Sequence, residues 1–361
     1  MPELRDAFYM AQAINLAKKG RYTTDPNPRV GCILVRDDVV IGEGWHAKAG
    51  QGHAEVEALK NVADAKGATA YVTLEPCSHH GKTPPCCDAL IKAGVSRVVA
   101  AMQDPNPQVS GRGLEKLKAA GIEVSCGVLQ EDALALNRGF IKRMTGNRPF
   151  VRSKLAMSLD GRTAMASGES KWITSDEART DVHRLRAESS AILTGINTVL
   201  ADDPALNARI EDDVLQPVRV VLDTHLSMPV SAQMAKLPGR SLILTCAQDQ
   251  QKQQALQQAG FEVYQLPGKN GRLDLPAVMG FLAQQQINEL LVEAGPVLNG
   301  ALLAEGLIDE YVIYMAPCIL GDQGRGLFNL PGLQQMADKK QLKLRDVRQI
   351  GQDLKLTYIP L

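Results

Sequence analysis

His53-Ala54-Glu55, Pro76-Cys77 and Cys86 bring one imidazole, two thiols and one carboxylate into a short stretch of chain. Imidazole and thiolate are favoured zinc ligands. Three protein ligands leave the fourth tetrahedral position to water, which is the pattern of a catalytic site and not of a closed structural one. A zinc ion lowers the pKa of bound water to about 7, so a nucleophile is available at neutral pH. The expected chemistry is attack of that nucleophile on an electrophilic carbon of a bound substrate. Glu55 is not needed as a ligand and would accept the water proton, then pass protons on to the reacting substrate. The competing possibility is a closed zinc site with Cys87 or His80 as fourth ligand, but closed sites usually draw ligands in paired spacings. Cys87 follows Cys86 on an expected helix, so it points about 100° away and is expected to pack.

The elements around these residues alternate. Helical periodicity runs over residues 4–19. Val30–Val35 and Val39–Gly44 flank Asp37-Asp38 as a hairpin. Then come a helix over His53–Ala65, a strand over Thr69–Leu74, a helix over Pro84–Ala93 with prolines at its start, and a strand over Val95–Met102. A helix over Gly113–Ala119, a strand over Ile122–Gly127 and a helix over Glu131–Met144 follow. This order predicts an α/β domain with a largely parallel sheet after the hairpin. His53 and Glu55 fall in the first turn of one helix and Cys86 in that of the next, where the helix dipole favours a thiolate.

At 361 residues the chain is long enough for two domains. The helical pattern breaks at Gly146-Asn-Arg-Pro149, which places the boundary near 147 and gives domains of 1–147 and 148–361. The second half repeats the alternation, from a strand at Phe150–Leu155 and a helix at Ser175–Glu188 to strands at Glu310–Met315 and within Leu342–Leu356. Formal net charge is zero and aromatics are 4%, which argues against extended nucleic-acid binding but not against a small phosphorylated substrate. The N-terminus has no basic segment leading into an apolar run, and no stretch is long enough to span a bilayer; a cytoplasmic location is expected. The seven cysteines are odd in number and scattered. Cys32, Cys126, Cys246 and Cys318 lie in or beside apolar runs and are expected to be reduced core thiols.

His-x-Glu followed by Pro-Cys and a second Cys is the layout of zinc nucleobase deaminases, although eight residues separate Cys77 from Cys86 where the short form has two. Pro76-Cys-Ser-His-His-Gly-Lys-Thr-Pro-Pro-Cys86 resembles the long-spaced zinc motif of the riboflavin-biosynthesis deaminases. Thr24-Asp-Pro-Asn-Pro-Arg-Val-Gly31, Gly50-Gln-Gly-His-Ala-Glu55 and Asp104-Pro-Asn-Pro-Gln-Val-Ser-Gly-Arg-Gly113 are similar to that family's other signatures. The resemblance implies a cytidine-deaminase-like domain acting on a diaminopyrimidinone with a ribosyl 5′-phosphate. Asn27 would bond the base edge, His46, His79 and Lys82 the base or sugar-phosphate, and Asp104 and Asn106 would complete the pocket. For His79 the bland alternative is a solvated loop.

The second half has no Gly-x-Gly-x-x-Gly after a strand, so an ordinary Rossmann site is not supported. Leu290-Leu-Val-Glu-Ala-Gly-Pro-Val-Leu-Asn-Gly-Ala301 instead reads as strand, turn and helix, with backbone N–H groups suited to a phosphate. Together with Lys154-Leu-Ala-Met-Ser-Leu-Asp-Gly161, Ser170-Lys-Trp-Ile-Thr174 and Leu193-Thr-Gly-Ile-Asn-Thr-Val-Leu-Ala-Asp-Asp-Pro204, it resembles the dihydrofolate-reductase-like reductases of the same pathway. The implied chemistry is hydride transfer from NADPH to the ribosyl C1′. Ala156, Trp172, Thr198, Asp202, Thr224, Gly295, Pro296, Val297, Leu298, Asn299, Gly300 and Ala301 would line the cofactor. Lys154, Ser170, Arg186, Leu206, Arg209 and Glu293 would hold the substrate, with the cations on its phosphate. Trp172 could equally be a core aromatic, and Arg186 a solvated helix residue. Of Asp202 and Asp203, one would cap the turn before Pro204 while the other reaches the site. Ala294 stands where the family often has glycine, which is compatible if its φ is negative.

The chain is therefore expected to be a two-domain α/β bifunctional enzyme of riboflavin biosynthesis, a zinc deaminase followed by an NADPH-dependent reductase. Its expected partner is a phosphorylated pyrimidine, with neither nucleic acid nor membrane, and a homo-oligomer is compatible with the family. The rivals are a nucleic-acid base deaminase with a C-terminal binding module, and a non-enzymatic protein with a structural zinc.

Overall fold

The computed structural model describes residues 2–78, 84–107 and 109–361. They form two compact units, Met1–Asn147 and Arg148–Leu361.

In the first unit, β1 (Gly31–Arg36) and β2 (Val39–Trp45) form an antiparallel hairpin, turned through Asp37 and Asp38 at φ 52° and 63°. β3 (Thr69–Val72) pairs antiparallel with β1. β4 (Arg97–Ala100) and β5 (Glu123–Cys126) continue in parallel, giving the order β2-β1-β3-β4-β5. Alternation along the strands fills two layers. Cys32, Leu34, Val72, Val98 and Ala100 pack with Ala54, Ala58, Cys87 and Leu90 on one face. Ile33, Val35, Tyr71, Val99 and Ala101 pack with Tyr9, Met10 and Ala13 of helix α1 (Pro2–Ala17) on the other. A sheet covered on both faces needs near-continuous apolar strands, which is how these segments read.

Two glycines set the first site's position. A Cβ on Gly42 or Gly44 would lie 2.3 Å from the carbonyl oxygen of Ala58 or Ala54. Their absence lets helix α2 (Ala54–Leu59) lie directly on β2. The helix expected over His53–Ala65 thus starts one residue late, with His53 as N-cap, and ends at Leu59. Val62 and Ala65 still pack against the core, but outside regular helix. Helix α3 (Cys86–Ala93) follows Pro85, its N-cap, and α4 (Arg112–Ala119) follows Gly111. The single helix expected over Glu131–Met144 is two, α5 (Gln130–Leu136) and α6 (Arg138–Gly146). Buried Asn137 breaks it: its side chain accepts from Arg29 N–H at 2.8 Å and donates to the Arg29 carbonyl at 2.9 Å. Such side-chain pairing competes with helical bonding.

The second unit is built on a nine-stranded sheet. Its order is Glu262–Gln265, Ser241–Thr245, Val218–Leu222, Ala191–Gly195, Glu289–Val292, Phe150–Ser158, Glu310–Ala316, Asp353–Pro360 and Leu342–Ile350. The first seven are parallel and the last two close it antiparallel. Helices, among them Asp176–Glu188, Leu275–Gln284 and Pro296–Ala304, accompany it. The Glu289–Val292 strand lies between Ala191–Gly195 and Phe150–Ser158, with Val292 opposite both Leu193 and Ser153. The next residues along the three strands, Glu293, Thr194 and Lys154, therefore lie side by side, with Glu293 just past the carboxyl end of its strand, where open α/β sheets bind ligands.

The cysteine expectation needs correction. Cys32 is fully buried, but Cys126 is exposed, and Cys246 and Cys318 are half-buried. Cys126 ends an edge strand, Cys246 sits one residue past a strand end and packs against the core from its margin, and Cys318 sits two residues past another. Among the described residues no helix is long and apolar enough to cross a membrane.

Candidate active sites

In the first unit, His53 caps α2, Cys86 opens α3 and Cys77 follows β3. One ligand atom of each lies within 4.8 Å of the others. The His53 Nδ1 is 3.3 Å from Cys86 Sγ and 3.6 Å from Cys77 Sγ. Tetrahedral zinc with ordinary bond lengths requires nitrogen–sulfur separations of about 3.5 Å, so the three side chains fit that ion. Cys87 does not join them: its buried thiol donates to the Pro76 carbonyl at 3.2 Å. His79, His80 and Lys82 lie outside the described residues.

The electrostatics suit metal ligation. Cys77 is held down to about 4 by hydrogen bonds from the Cys86 thiol, from His53 and from the Cys86 backbone N–H, against the opposing effect of burial. The N–H, at the start of α3, lies 3.3 Å from the Cys77 sulfur. Cys86, the thiol that donates to Cys77, is pushed up. Glu55 is 3% exposed and burial raises it to about 7. Its carboxyl is hydrogen-bonded to Cys86 yet stands outside the group of three.

Asn27 and His46 meet beside this cluster. The Asn27 amide donates to His46 Nε2 at 3.0 Å, and His46 Nδ1 donates to the Gly52 carbonyl at 3.0 Å. Burial lowers the His46 pKa, and its ring meets that of His53 edge-on at 5.4 Å. Both His46 nitrogens are thus engaged within the protein, and Asn27 is held in one amide orientation. Asp104 Oδ1 accepts from the Asn106 N–H at 2.8 Å. Glu75, which carried no signal in the sequence beyond preceding Pro76-Cys77, is 3% exposed and accepts from three backbone N–H groups around Asp104–Gly113.

In the second unit, the Arg186 guanidinium grips Glu293 with two bonds of 2.6 and 2.9 Å and donates to the Asn207 carbonyl at 3.2 Å. Lys154 Nζ lies 3.8 Å from the same carboxylate. Burial pushes Glu293 up, but Arg186 and Lys154 outweigh it and hold the carboxyl at about 2. Burial lowers Lys154. Arg186 is therefore not a solvated helix residue. Arg209 is exposed and contacts His183 at 3.0 Å, and Leu206 is buried with φ 44°, its side chain in the core. Ser170 is exposed. Trp172 is 71% exposed, with the Arg179 guanidinium 4.6 Å above its ring, so it is not a core aromatic. Asp202 pairs with Lys171 at 3.0 Å, whereas Asp203 ends the Ile196–Asp202 helix with φ 40°.

Gly195 ends one strand, Gly295 lies three residues past the end of its parallel neighbour, and each caps a helix. A Cβ on Gly295 would meet nothing within 4 Å, so this turn opens onto free space at a helix N-terminus, as a dinucleotide phosphate needs. The buried Asn299 fixes the turn, donating to the Ala294 carbonyl at 2.7 Å while accepting from Ser153 Oγ at 2.7 Å. Gly300 serves packing: a Cβ there would strike the Asn329 carbonyl at 2.1 Å. Ala294 is not among the residues with positive φ. Ala156 and Thr224 are half-buried, Ala156 within Phe150–Ser158 and Thr224 two residues beyond Val218–Leu222; Thr198 lies in Ile196–Asp202. Pro296, Val297, Leu298 and Ala301 lie in the Pro296–Ala304 helix.

Residues 4–102 match the cytidine and deoxycytidylate deaminase zinc-binding region, and residues 149–356 match the RibD C-terminal domain. Fold and sites thus define a zinc deaminase domain of cytidine-deaminase type followed by a reductase domain of dihydrofolate-reductase type. The chain belongs to the RibD family of riboflavin biosynthesis proteins. It is 51% identical to the riboflavin biosynthesis protein RibD of Escherichia coli K12, over 99% of this chain and 100% of that one. It is 42% identical to that of Aquifex aeolicus over 98% of both. The Acinetobacter baumannii RibD structure, form 2, superposes with TM-score 0.94 at 47% identity and full coverage of both chains. A Thermotoga maritima structure, described as a diaminohydroxyphosphoribosylaminopyrimidine deaminase/5-amino-6-(5-phosphoribosylamino)uracil reductase, superposes with TM-score 0.88 at 34% identity, again over both full chains. The chain is a bifunctional deaminase and reductase of riboflavin biosynthesis, with Zn2+ and NADPH as cofactors.

Proposed function

We propose that the unit ending at Asn147 hydrolytically deaminates a diaminopyrimidinone carrying a ribosyl 5′-phosphate, and that the unit from Arg148 then reduces the ribosyl group to ribityl. The observation that carries the proposal is the convergence of His53, Cys77 and Cys86 at zinc-ligand spacing with buried Glu55 beside them but outside the ligand group. Zinc held by the three would supply a Lewis acid that activates water at neutral pH. Glu55 takes one proton from the attacking water and gives it to the ring nitrogen, then carries the second, from the newly formed hydroxyl, to the amine that leaves as ammonia. Asn27, fixed by His46, presents its amide to the base, and Asp104 and Asn106 border the same pocket.

In the second unit NADPH would supply the hydride. The free N–H groups of the first turn of the Pro296–Ala304 helix, from Val297 onward, bind its phosphates, and Trp172, Thr198 and Asp202 border it. Lys154 and Arg186 face the substrate phosphate, with Glu293 offsetting one of their two charges. The substrate is a small phosphorylated pyrimidine, no nucleic acid takes part, and the enzyme works in the cytoplasm, alone or as a homo-oligomer.

Removing zinc with a chelator is expected to abolish ammonia release while leaving NADPH oxidation on pre-deaminated substrate intact. Ammonia release that survives complete metal removal, verified by elemental analysis, would overturn the first site. Lys154→Ala is expected to raise the reductase KM about tenfold, since a phosphate contact contributes to ground state and transition state alike, and to leave deamination unchanged. Steady-state kinetics of both half-reactions check this; an unaltered reductase KM removes Lys154 from the phosphate site.

A further inference from the structure

Glu75 is a buried carboxylate that no step above uses. It sits two residues before the metal ligand Cys77. Its Oε2 accepts from the Asp104 N–H at 3.0 Å and the Gly111 N–H at 2.9 Å, and its Oε1 from the Gly113 N–H at 2.8 Å. Three backbone donors converge on one side chain that is 3% exposed. Hydrogen bonds to a charged acceptor are roughly twice as strong as neutral ones, so one residue fixes both ends of the 104–113 segment.

The packing around it is equally tight. A Cβ on Gly113 would lie 2.1 Å from the Pro76 carbonyl oxygen. The Cys87 thiol, one residue past ligand Cys86, points to the carbonyls of Pro76 at 3.2 Å and Gly113 at 3.5 Å. Gly111 takes φ 80° to place its N–H on the carboxylate. The stretch that follows β3, the start of α3 and the start of α4 are thereby held at one point. The first two carry Cys77 and Cys86, and the third ends the segment that carries Asp104 and Asn106.

We propose that Glu75 is a positioning residue for deamination: it sets the Asp104–Asn106 side of the pocket in register with the zinc ligands. The inference rests on the deaminase pocket proposed above. It does not concern the protonation of Glu75. A Gln here keeps one acceptor oxygen but turns an NH2 toward backbone N–H groups, so at least one of the three bonds is lost. An Asp keeps both acceptors on a shorter arm.

The test uses the full-length zinc-loaded enzyme and compares wild type, Glu75→Gln, Glu75→Asp and Asn106→Ala. For Glu75→Gln the expected results are retained zinc, faster hydrogen exchange at the amides of Asp104, Gly111 and Gly113, and a deamination KM raised about tenfold with a smaller change in kcat. Glu75→Asp should recover part of the KM, and reduction of pre-deaminated substrate should match wild type. Unchanged KM in Glu75→Gln overturns the positioning role. If Asn106→Ala raises KM in that case, the pocket stands without it; if Asn106→Ala is also unchanged, the assignment of the 104–113 segment to the pocket falls as well. Loss of zinc from Glu75→Gln makes the residue a support of the whole metal site and overturns the selective role.

Discussion

Glu55→Gln is expected to keep its zinc and to lose deamination by about two to four orders of magnitude, the usual contribution of general acid–base catalysis. The expectation follows from position. The three ligand atoms sit within 4.8 Å of one another without Glu55, so the amide leaves the ligand set complete. The carboxyl is buried beside Cys86, so bulk water has little access to replace it as proton carrier. Reduction of pre-deaminated substrate should proceed at the wild-type rate. Elemental analysis and ammonia release measure the two quantities separately. Zinc lost together with activity would make Glu55 a ligand, and near-normal ammonia release would remove it from the mechanism.

Glu293→Gln is expected to destabilise the reductase unit by roughly 3 kcal/mol. Removing one partner of a buried pair leaves an uncompensated charge, and here two cations, Arg186 and Lys154, share the one carboxylate. The pH dependence has a definite sign. The folded carboxyl titrates at about 2 against an ordinary value of 4.5, so the folded state prefers the charged form. The stabilisation is full above about pH 4.5 and is lost as pH falls toward 2. The stability difference between wild type and Glu293→Gln should therefore be constant near neutrality and shrink across that acid window. Urea unfolding at a series of pH values measures it; a difference that stays flat down to the acid end, or that is absent at pH 7, contradicts the assignment.

The chemistry of the first site was legible because its residue types are rare and tightly spaced: His53, Glu55, Cys77 and Cys86 each have few alternative roles in such a pattern. The alternation of strands and helices was legible for the same reason in reverse, since continuous apolar runs such as residues 32–35 and 290–292 can be buried on both faces in only a few ways. What was hidden depends on contacts between distant segments. Asn137 looks like an ordinary helix residue until its side chain is seen bonded to the Arg29 backbone, 108 positions away. Glu75 reads as a strand-end acid until the N–H groups of Asp104, Gly111 and Gly113 are seen to converge on it. Arg186 and Glu293 each suggested a separate substrate contact, whereas they lie against each other. Trp172 was balanced between core and cofactor because composition alone does not reveal exposure.

The most direct test is NADPH oxidation by the purified protein, supplied with the diaminopyrimidinone ribosyl phosphate, comparing wild type with Glu55→Ala. Wild type should oxidise NADPH, the variant should not, and pre-deaminated substrate should restore oxidation by the variant. Two linked sites acting in the order deamination then reduction give that pattern. Ammonia release by wild type without any NADPH oxidation, on either substrate, would contradict it and leave the second unit without the activity assigned to it.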